Sequence, residues 1–232
     1  MRPSEIPEIR ALALFRDMSD DQFGALMRAA YVQAFPPGIE LFHEGDRPDF
    51  LHVVVDGAVE LFAGWSGRET TMQIVRPVET IILAATVRDA PFLMSARTLE
   101  RSHIVLVPSQ DVRQIFASDG AFARAVVAEL AGCYRGMVKA QKELKLRNST
   151  ERLANWILRQ EGAARGDGTI TIDLEKRKLA SLLGMAPENL SRALNGLSAH
   201  GIRVDGRELH ASDLSALRRF ARPTPLIDQH DI

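Results

Sequence analysis

Residues 174 to 198 read LEKRKLASLLGMAPENLSRALNGLS, and this stretch decides the fold of the C-terminal part of the chain. Leu179, Leu182 and Leu183 form one apolar stripe, and Gly184 interrupts the pattern where a tight helix-to-helix turn needs a residue without a side chain. Pro187 suits the first turn of a second helix, since its missing N–H would have no intrahelical partner there. Leu190, Ala193, Leu194 and Leu197 then supply an inward face at helical spacing. Glu188, Ser191 and Arg192 stand at i, i+3 and i+4 and share the outward face of that helix's first turns. In a DNA major groove a Glu accepts from cytosine N4 and an Arg forks onto guanine O6 and N7. The segment therefore reads as a helix-turn-helix whose base contacts are Glu188, Ser191 and Arg192. Ala186, at the N-cap, has no side-chain acceptor, which weakens the helix start by about 1 kcal/mol.

The residues around it extend the pattern. Gly201 can end the helix, and Ile202–Val204, Asp205-Gly206 and Arg207–His210 read as a hairpin with a tight turn, the wing of a winged helix. Lys176, Arg177 and Lys178 open the first helix of the pair. Lys176 and Arg177 are the candidate phosphate contacts, and Lys178 reads as part of a solvated helix start. With a formal net charge of −1 over 232 residues, affinity for DNA must come from such local charge.

Upstream the texture differs. Residues 5–33 read as helical, with Ser19 capping the segment SDDQFGALMRAA, and Pro36-Pro37-Gly38 is a hard stop. From Ile39 to Val107 short apolar runs alternate with turn signals, as in a jelly roll. A short helix follows Pro108. The longest helical pattern then runs from about Ala121 to Arg147. Val126, Leu130, Cys133, Met137, Ala140 and Leu144 recur in steps of four and three, the seam of a coiled-coil dimer. Asn148-Ser149-Thr150 breaks this helix and can cap the next, ERLANWILRQ. Residues 163–168 read as a polar loop, and TITIDL reads as a strand entering the reader domain. The fold class is α+β, with a β-roll sensor domain at 1–119, a dimerisation helix at 120–147 and a winged helix-turn-helix at 148–232.

One cysteine, Cys133, excludes an intramolecular disulfide framework and a four-cysteine metal site, and it reads as a packing residue of the seam. No apolar run approaches the roughly 20 residues of a membrane helix, and the N-terminus lacks a secretion signal, so a cytoplasmic location is expected. Catalysis is not expected. A cupin-like metalloenzyme, the rival class for a β-roll, needs clustered histidines, but His43 and His52 are nine residues apart.

The order of β-roll, long helix, Ser149-Thr150-Glu151-Arg152-Leu153-Ala154 and Glu188-Asn189-Leu190-Ser191-Arg192 resembles the cyclic AMP receptor protein and fumarate–nitrate regulator family, from about residue 12 to 221. The resemblance implies a homodimer on a two-fold DNA site, base reading by Glu188 and Arg192, and contact with RNA polymerase. It also implies that the long helices shift on effector binding. Ser191 matches the fumarate–nitrate and nitric-oxide-responsive branches, which favour TTGAT-type half-sites.

In the family a cyclic nucleotide is held by Gly-Glu and, some ten residues on, by Arg-Ser or Arg-Thr. Here Val78-Glu79 stands at the first position, and Phe92-Leu93 falls at the second. Arg88 and Arg97 flank them, so a displaced phosphate cassette is the alternative. An effector pocket of Glu79, Ile81, Leu83, Phe92, Leu93 and Met94 would hold an anion poorly, and cAMP binding is not expected. The family's iron–sulfur ligands are absent. That leaves the effector unknown, with haem as one possibility; its candidate ligands are His43, His52 and His103, with Met72 and Met94 behind them. A constitutive dimer with no effector remains a third reading.

Overall fold

The structure is a computed structural model, and it describes residues 5–163 and 168–229. Most of the loop read at 163–168 lies outside the described residues. The chain divides into two compact units that meet within the long helix, one ending at Cys133 and the other starting at Tyr134.

The first unit opens with three helices, α1 (Glu5–Ala11), α2 (Ala13–Arg16) and α3 (Asp20–Ala29). The Ser19 side chain accepts from Gln22 N at 3.3 Å to cap α3, and Asp20 and Asp21 occupy the first turn, where the helix dipole favours acids. The helical reading to residue 33 is overturned. Strand β1 (Tyr31–Phe35) begins two residues after α3 and pairs antiparallel with β8 (Ser102–Pro108), Tyr31 opposite Leu106. Between them run β2 (Glu40–Phe42), β3 (Phe50–Asp56), β4 (Val59–Trp65), β5 (Arg68–Val75), β6 (Glu79–Ile81), helix α4 (Leu83–Arg88) and β7 (Ser95–Thr98). Two four-stranded sheets result, ordered β1-β8-β3-β6 and β2-β7-β4-β5. These form the expected β-roll.

Strands β3 and β8 are covered on both faces, which is why they read as continuous apolar runs. Leu51, Val53, Val105 and Val107 face a core shared with Phe15, Phe23, Leu26 and Phe122. Val54 and Ile104, of the other parity, join Phe42, Leu61, Ile81 and Phe92 inside the roll. At the β3–β4 turn Gly57 has φ +91°, and a Cβ there would lie 2.7 Å from the Arg101 carbonyl oxygen, so only glycine fits. Across the second sheet the buried Glu60 accepts from Arg97 Nε at 2.7 Å and from Thr71 Oγ1 at 2.5 Å.

Helix α5 (Ser109–Ser118) leads to α6 (Gly120–Leu146). Asp119 caps α6, its Oδ1 accepting from Ala121 N at 2.8 Å and Phe122 N at 2.9 Å. Val126 is 0% exposed and packs with Phe122 in the core of the first unit, so it cannot line a dimer seam as expected.

In the second unit α7 (Ser149–Ala163) starts on a reciprocal cap. Glu151 N donates to Asn148 Oδ1 at 3.0 Å, and Asn148 N donates to the Glu151 carboxylate at 2.9 Å. Then come β9 (Thr169–Thr171), α8 (Lys176–Leu182), α9 (Pro187–Gly196), a 3₁₀ turn (Leu197–His200), β10 (Ile202–Asp205), β11 (Glu208–Ala211), α10 (Leu214–Ala221) and α11 (Pro225–Asp228). Strands β10 and β11 form the wing, and β9 adds a third strand through Leu209 opposite Ile170. One core holds Leu153, Ile157, Leu179, Leu183, Leu190, Leu194, Leu197, Ile202, Leu209 and Leu217, while Leu182 is only half-buried. Among the described residues no helix is long and apolar enough to cross a membrane.

Candidate nucleic-acid interface and effector pocket

Helix α9 is held by its inner face. Leu190, Ala193 and Leu194 are buried, and Leu197 continues that face into the 3₁₀ turn. Pro187 stands in the first turn, and the Ala186 cap makes no side-chain hydrogen bond, both as read from the sequence. The opposite face carries Glu188, Ser191 and Arg192, all three exposed. Ser191 Oγ donates to the Pro187 carbonyl at 3.3 Å, and the Arg192 guanidinium donates to Asn189 Oδ1, which steers it along the helix surface. A carboxylate, a hydroxyl and a guanidinium thus project together from one buried-backed helix, the arrangement that reads base edges in a major groove. Lys176 and Arg177 are exposed in the first turn of α8. Cations there oppose the helix dipole, so helix stability does not account for them, whereas a phosphate partner would.

The turn between α8 and α9 is fixed by two features. Gly184 has φ +62°, and a Cβ there would fall 2.5 Å from Leu144 Cδ2, so it meets both a conformational and a steric demand. Arg152 supplies the second. Its Nε donates to the Leu183 carbonyl at 2.8 Å, its Nη2 to the Gly184 carbonyl at 3.1 Å and its Nη1 to the Arg147 carbonyl at 2.7 Å. One side chain therefore satisfies carbonyls left over at two helix ends. Arg152 belongs to the Ser-Thr-x-Arg motif, but its role depends on backbone acceptors that no residue pattern reveals.

The effector segment is different. Glu79 is half-buried on β6 opposite Val54. Burial raises its pKa, the nearby Glu129 charge raises it further, and a hydrogen bond from the Arg76 backbone opposes both. Ile81 and Phe92 are buried inside the roll with Met94 partly buried beside them, whereas Leu83 packs on the other side, in the core of Leu51 and Val53. Leu93 is 79% exposed and does not line the pocket, because the chain turns it outward beside the inward Phe92. The Phe92 ring stacks on Phe42 at 3.8 Å, and its backbone is bonded both ways to the 45–46 turn. Arg97 is committed to Glu60 at 2.7 Å and Glu69 at 2.9 Å and lies over the Phe62 ring.

The three histidines separate clearly. His43 is exposed, and its pKa is raised, chiefly by its hydrogen bond to Glu40 at 2.6 Å. His103 contacts Asp56 at 3.3 Å. His52 is buried against the Phe42 ring, its Nδ1 has no partner, and burial lowers its pKa to about 4. Among the described residues no group of three His, Cys, Asp or Glu is placed to hold a metal ion. A cleft of about 440 Å³ is lined by Tyr31, Phe50, Asp89 and the start of α5, and by none of Glu79, Ile81, Leu83, Phe92, Leu93 or Met94.

A β-roll followed by a long helix and a winged helix-turn-helix with a solvent-facing reading head defines an effector-domain transcription regulator. Residues 32–119 match the cyclic nucleotide-binding domain family, and residues 151–220 match the Crp-like helix-turn-helix domain family. Together they span more than half of the chain. The chain belongs to the Crp/Fnr family of transcription regulators. It is 26% identical over 225 residues to a CRP-like cAMP-activated global transcriptional regulator of Mycobacterium tuberculosis, covering 93% of this chain and 99% of that protein. Its fold matches FixK2 from Bradyrhizobium japonicum with a TM-score of 0.73 at 21% identity, covering 84% of this chain and 98% of that one. A CooA variant from Carboxydothermus hydrogenoformans gives a TM-score of 0.73 at 18% identity, covering 95% and 97%. The family binds DNA and is generally dimeric.

Proposed function

We propose that this chain regulates transcription from the cytoplasm as a homodimer. Glu188, Ser191 and Arg192 read bases, Lys176 and Arg177 hold phosphates, and the effector is not cyclic AMP. The single observation that carries the DNA reading is the exposed Glu188–Ser191–Arg192 face on a helix whose other side is buried. Half-sites of the TTGAT type follow from the resemblance to the fumarate–nitrate and nitric-oxide-responsive branches, and contact with RNA polymerase from the resemblance to the family. Selection of duplexes from a randomised pool by the full chain tests the reading. Two-fold sites with TTGAT-like halves are expected, and no enrichment would refute it.

Dimerisation is supported by a mostly apolar stripe on α6 that keeps Leu130, Met137 and Leu144 of the one read in the sequence and takes Val127, Tyr134 and Gln141 in place of Val126, Cys133 and Ala140. Tyr134 is 68% and Met137 71% exposed, and Val127, Val138 and Leu144 are exposed with them. With Val126 taken into the core, the steps run Val127, Leu130, Tyr134, Met137, Gln141 and Leu144, still alternating three and four. Cys133 and Ala140 flank this seam and are also exposed. Desolvation by neighbouring side chains and the charges of Glu129 and Glu79 push the Cys133 thiol's pKa up, which suits contact rather than redox chemistry.

Electrostatics oppose cyclic AMP here. The positions that would neutralise a cyclic phosphate hold Phe92 and Leu93, Glu79 stands near another carboxylate, and of the displaced-cassette candidates Arg97 is already paired and Arg88 is exposed at the end of α4. The residues present do not fit a haem either. His43 and His103 are tied to carboxylates, and His52 is enclosed by packed side chains.

A further inference from the structure

The family match ends at residue 220, yet the chain continues into α11, and this tail is bonded to the junction of α6 and α7. Both Asp228 carboxylate oxygens accept from Arg147, the residue immediately after α6, at 2.7 and 2.6 Å. Arg159 on α7 donates to the same carboxylate at 3.1 Å and to Glu143 at 3.2 Å. The Thr224 N–H donates to Asp228 at 2.7 Å and so fixes the tail's own first turn. Farther along α6, Lys139 donates to the Gln229 carbonyl at 2.6 Å and Lys142 to the Leu226 carbonyl at 3.3 Å. Arg147 and Asp228 have only 8% and 11% of their side-chain surface exposed, so solvent screens this pair little.

This cluster meets the reader through one residue. The Arg147 side chain is held by Asp228, while its carbonyl accepts from Arg152, and Arg152 also binds the Leu183 and Gly184 carbonyls of the helix-turn-helix turn. A path of bonds therefore runs from the tail to the turn that aims α9. A two-pronged Arg–carboxylate pair fixes planar orientation as well as distance. Without Asp228 the α6–α7 junction keeps the Asn148–Glu151 cap and the Glu143 bridges to Arg159 at 3.2 Å and Arg147 at 3.5 Å, but the two-pronged hold from the tail is lost.

We propose that residues 224–229 form a clasp that presets the angle between the end of α6 and the reader, with Asp228 as the positioning residue. The proposal rests on the DNA reading above, because a preset angle matters most when two readers must meet two half-sites one helical turn apart. A single half-site engages one reader and places no demand on that angle.

The test compares the full chain with its Asp228→Asn and Asp228→Glu variants, measuring affinity for a two-half-site duplex and for a single half-site, together with amide exchange over residues 147–152. Asp228→Asn is expected to weaken two-half-site binding about tenfold, within the usual range of couplings between sites. It should leave single-half-site binding unchanged and speed exchange at the junction, and Asp228→Glu should recover most of the loss. An equal fall on both duplexes with a lowered melting temperature would make Asp228 a stabilising residue only and overturn the proposal. Unchanged affinity with unchanged exchange, or tighter binding, would overturn it as well. If Arg192→Ala leaves sequence preference intact while Asp228→Asn still speeds exchange, the clasp stands and the base-reading assignment fails.

Discussion

The recognition helix and the effector segment invite comparison because both pack an apolar side chain at nearly every inward position, yet they differ in what faces outward. Helix α9 buries Leu190, Ala193 and Leu194 and leaves a carboxylate, a hydroxyl and a guanidinium for a ligand. The segment from Glu79 to Met94 buries Ile81, Leu83 and Phe92 and has its acid near Glu129. The first keeps its polar groups at the surface, bonded only within their own helix. The second has the architecture of a ligand domain filled with hydrocarbon. One fold family can therefore retain a binding shape while the side chains remove the charge complementarity that an anionic ligand requires.

That contrast can be broken at several points. The largest effect is expected from Arg97→Ala, which would take the guanidinium from the buried Glu60 and leave it the Thr71 hydroxyl. Denaturant melts should show a loss on the order of 3–5 kcal/mol, whereas a displaced cassette that uses Arg97 for a ligand would lose ligand binding and little stability. Next is the pH dependence of the β-roll. His52 is held near pKa 4 when folded, against about 6.5 when unfolded, so its contribution is complete above pH 6.5 and declines as pH falls toward 4, when only the unfolded chain accepts the proton. About 3 kcal/mol should be lost over that window, and His52→Phe should flatten the slope. If the slope survives His52→Phe, another group carries it. Lys176→Ala should weaken DNA binding by a similar factor on all sequences and reduce the salt slope by about 1. Smallest of all, calorimetric titration with cyclic AMP should give no binding heat, and a micromolar isotherm would refute the electrostatic argument.

The two regions also differ in how much of them the residues alone reveal. The reader was legible because its helices carry a regular apolar period and its turn requires a positive φ at Gly184. Helix α4 was not, since Ile81-Ile82-Leu83-Ala84-Ala85 is apolar throughout and offers no period to distinguish helix from strand. Strand β1 was absorbed into the preceding helix because its pairing with β8 is non-local. Val126 was read into the seam on α6 because both the 126 and 127 series alternate in threes and fours, and only packing on the β-roll claims Val126. Leu93 and Phe92 are adjacent and similarly apolar, so their opposite orientations depend on the turn they occupy. Arg152 and Asp228 act on partners distant in sequence, and nothing in their local spacing announces the junction they hold.

The most direct measurement is the affinity of the purified chain for its selected two-fold duplex and for single-base variants of it, before and after Arg192→Ala. Loss of about 1–3 kcal/mol on the selected duplex, with discrimination relaxed at the contacted base pair and little change on unrelated DNA, is the predicted result. Unaltered affinity and unaltered base preference would contradict it and remove Arg192 from the reading face.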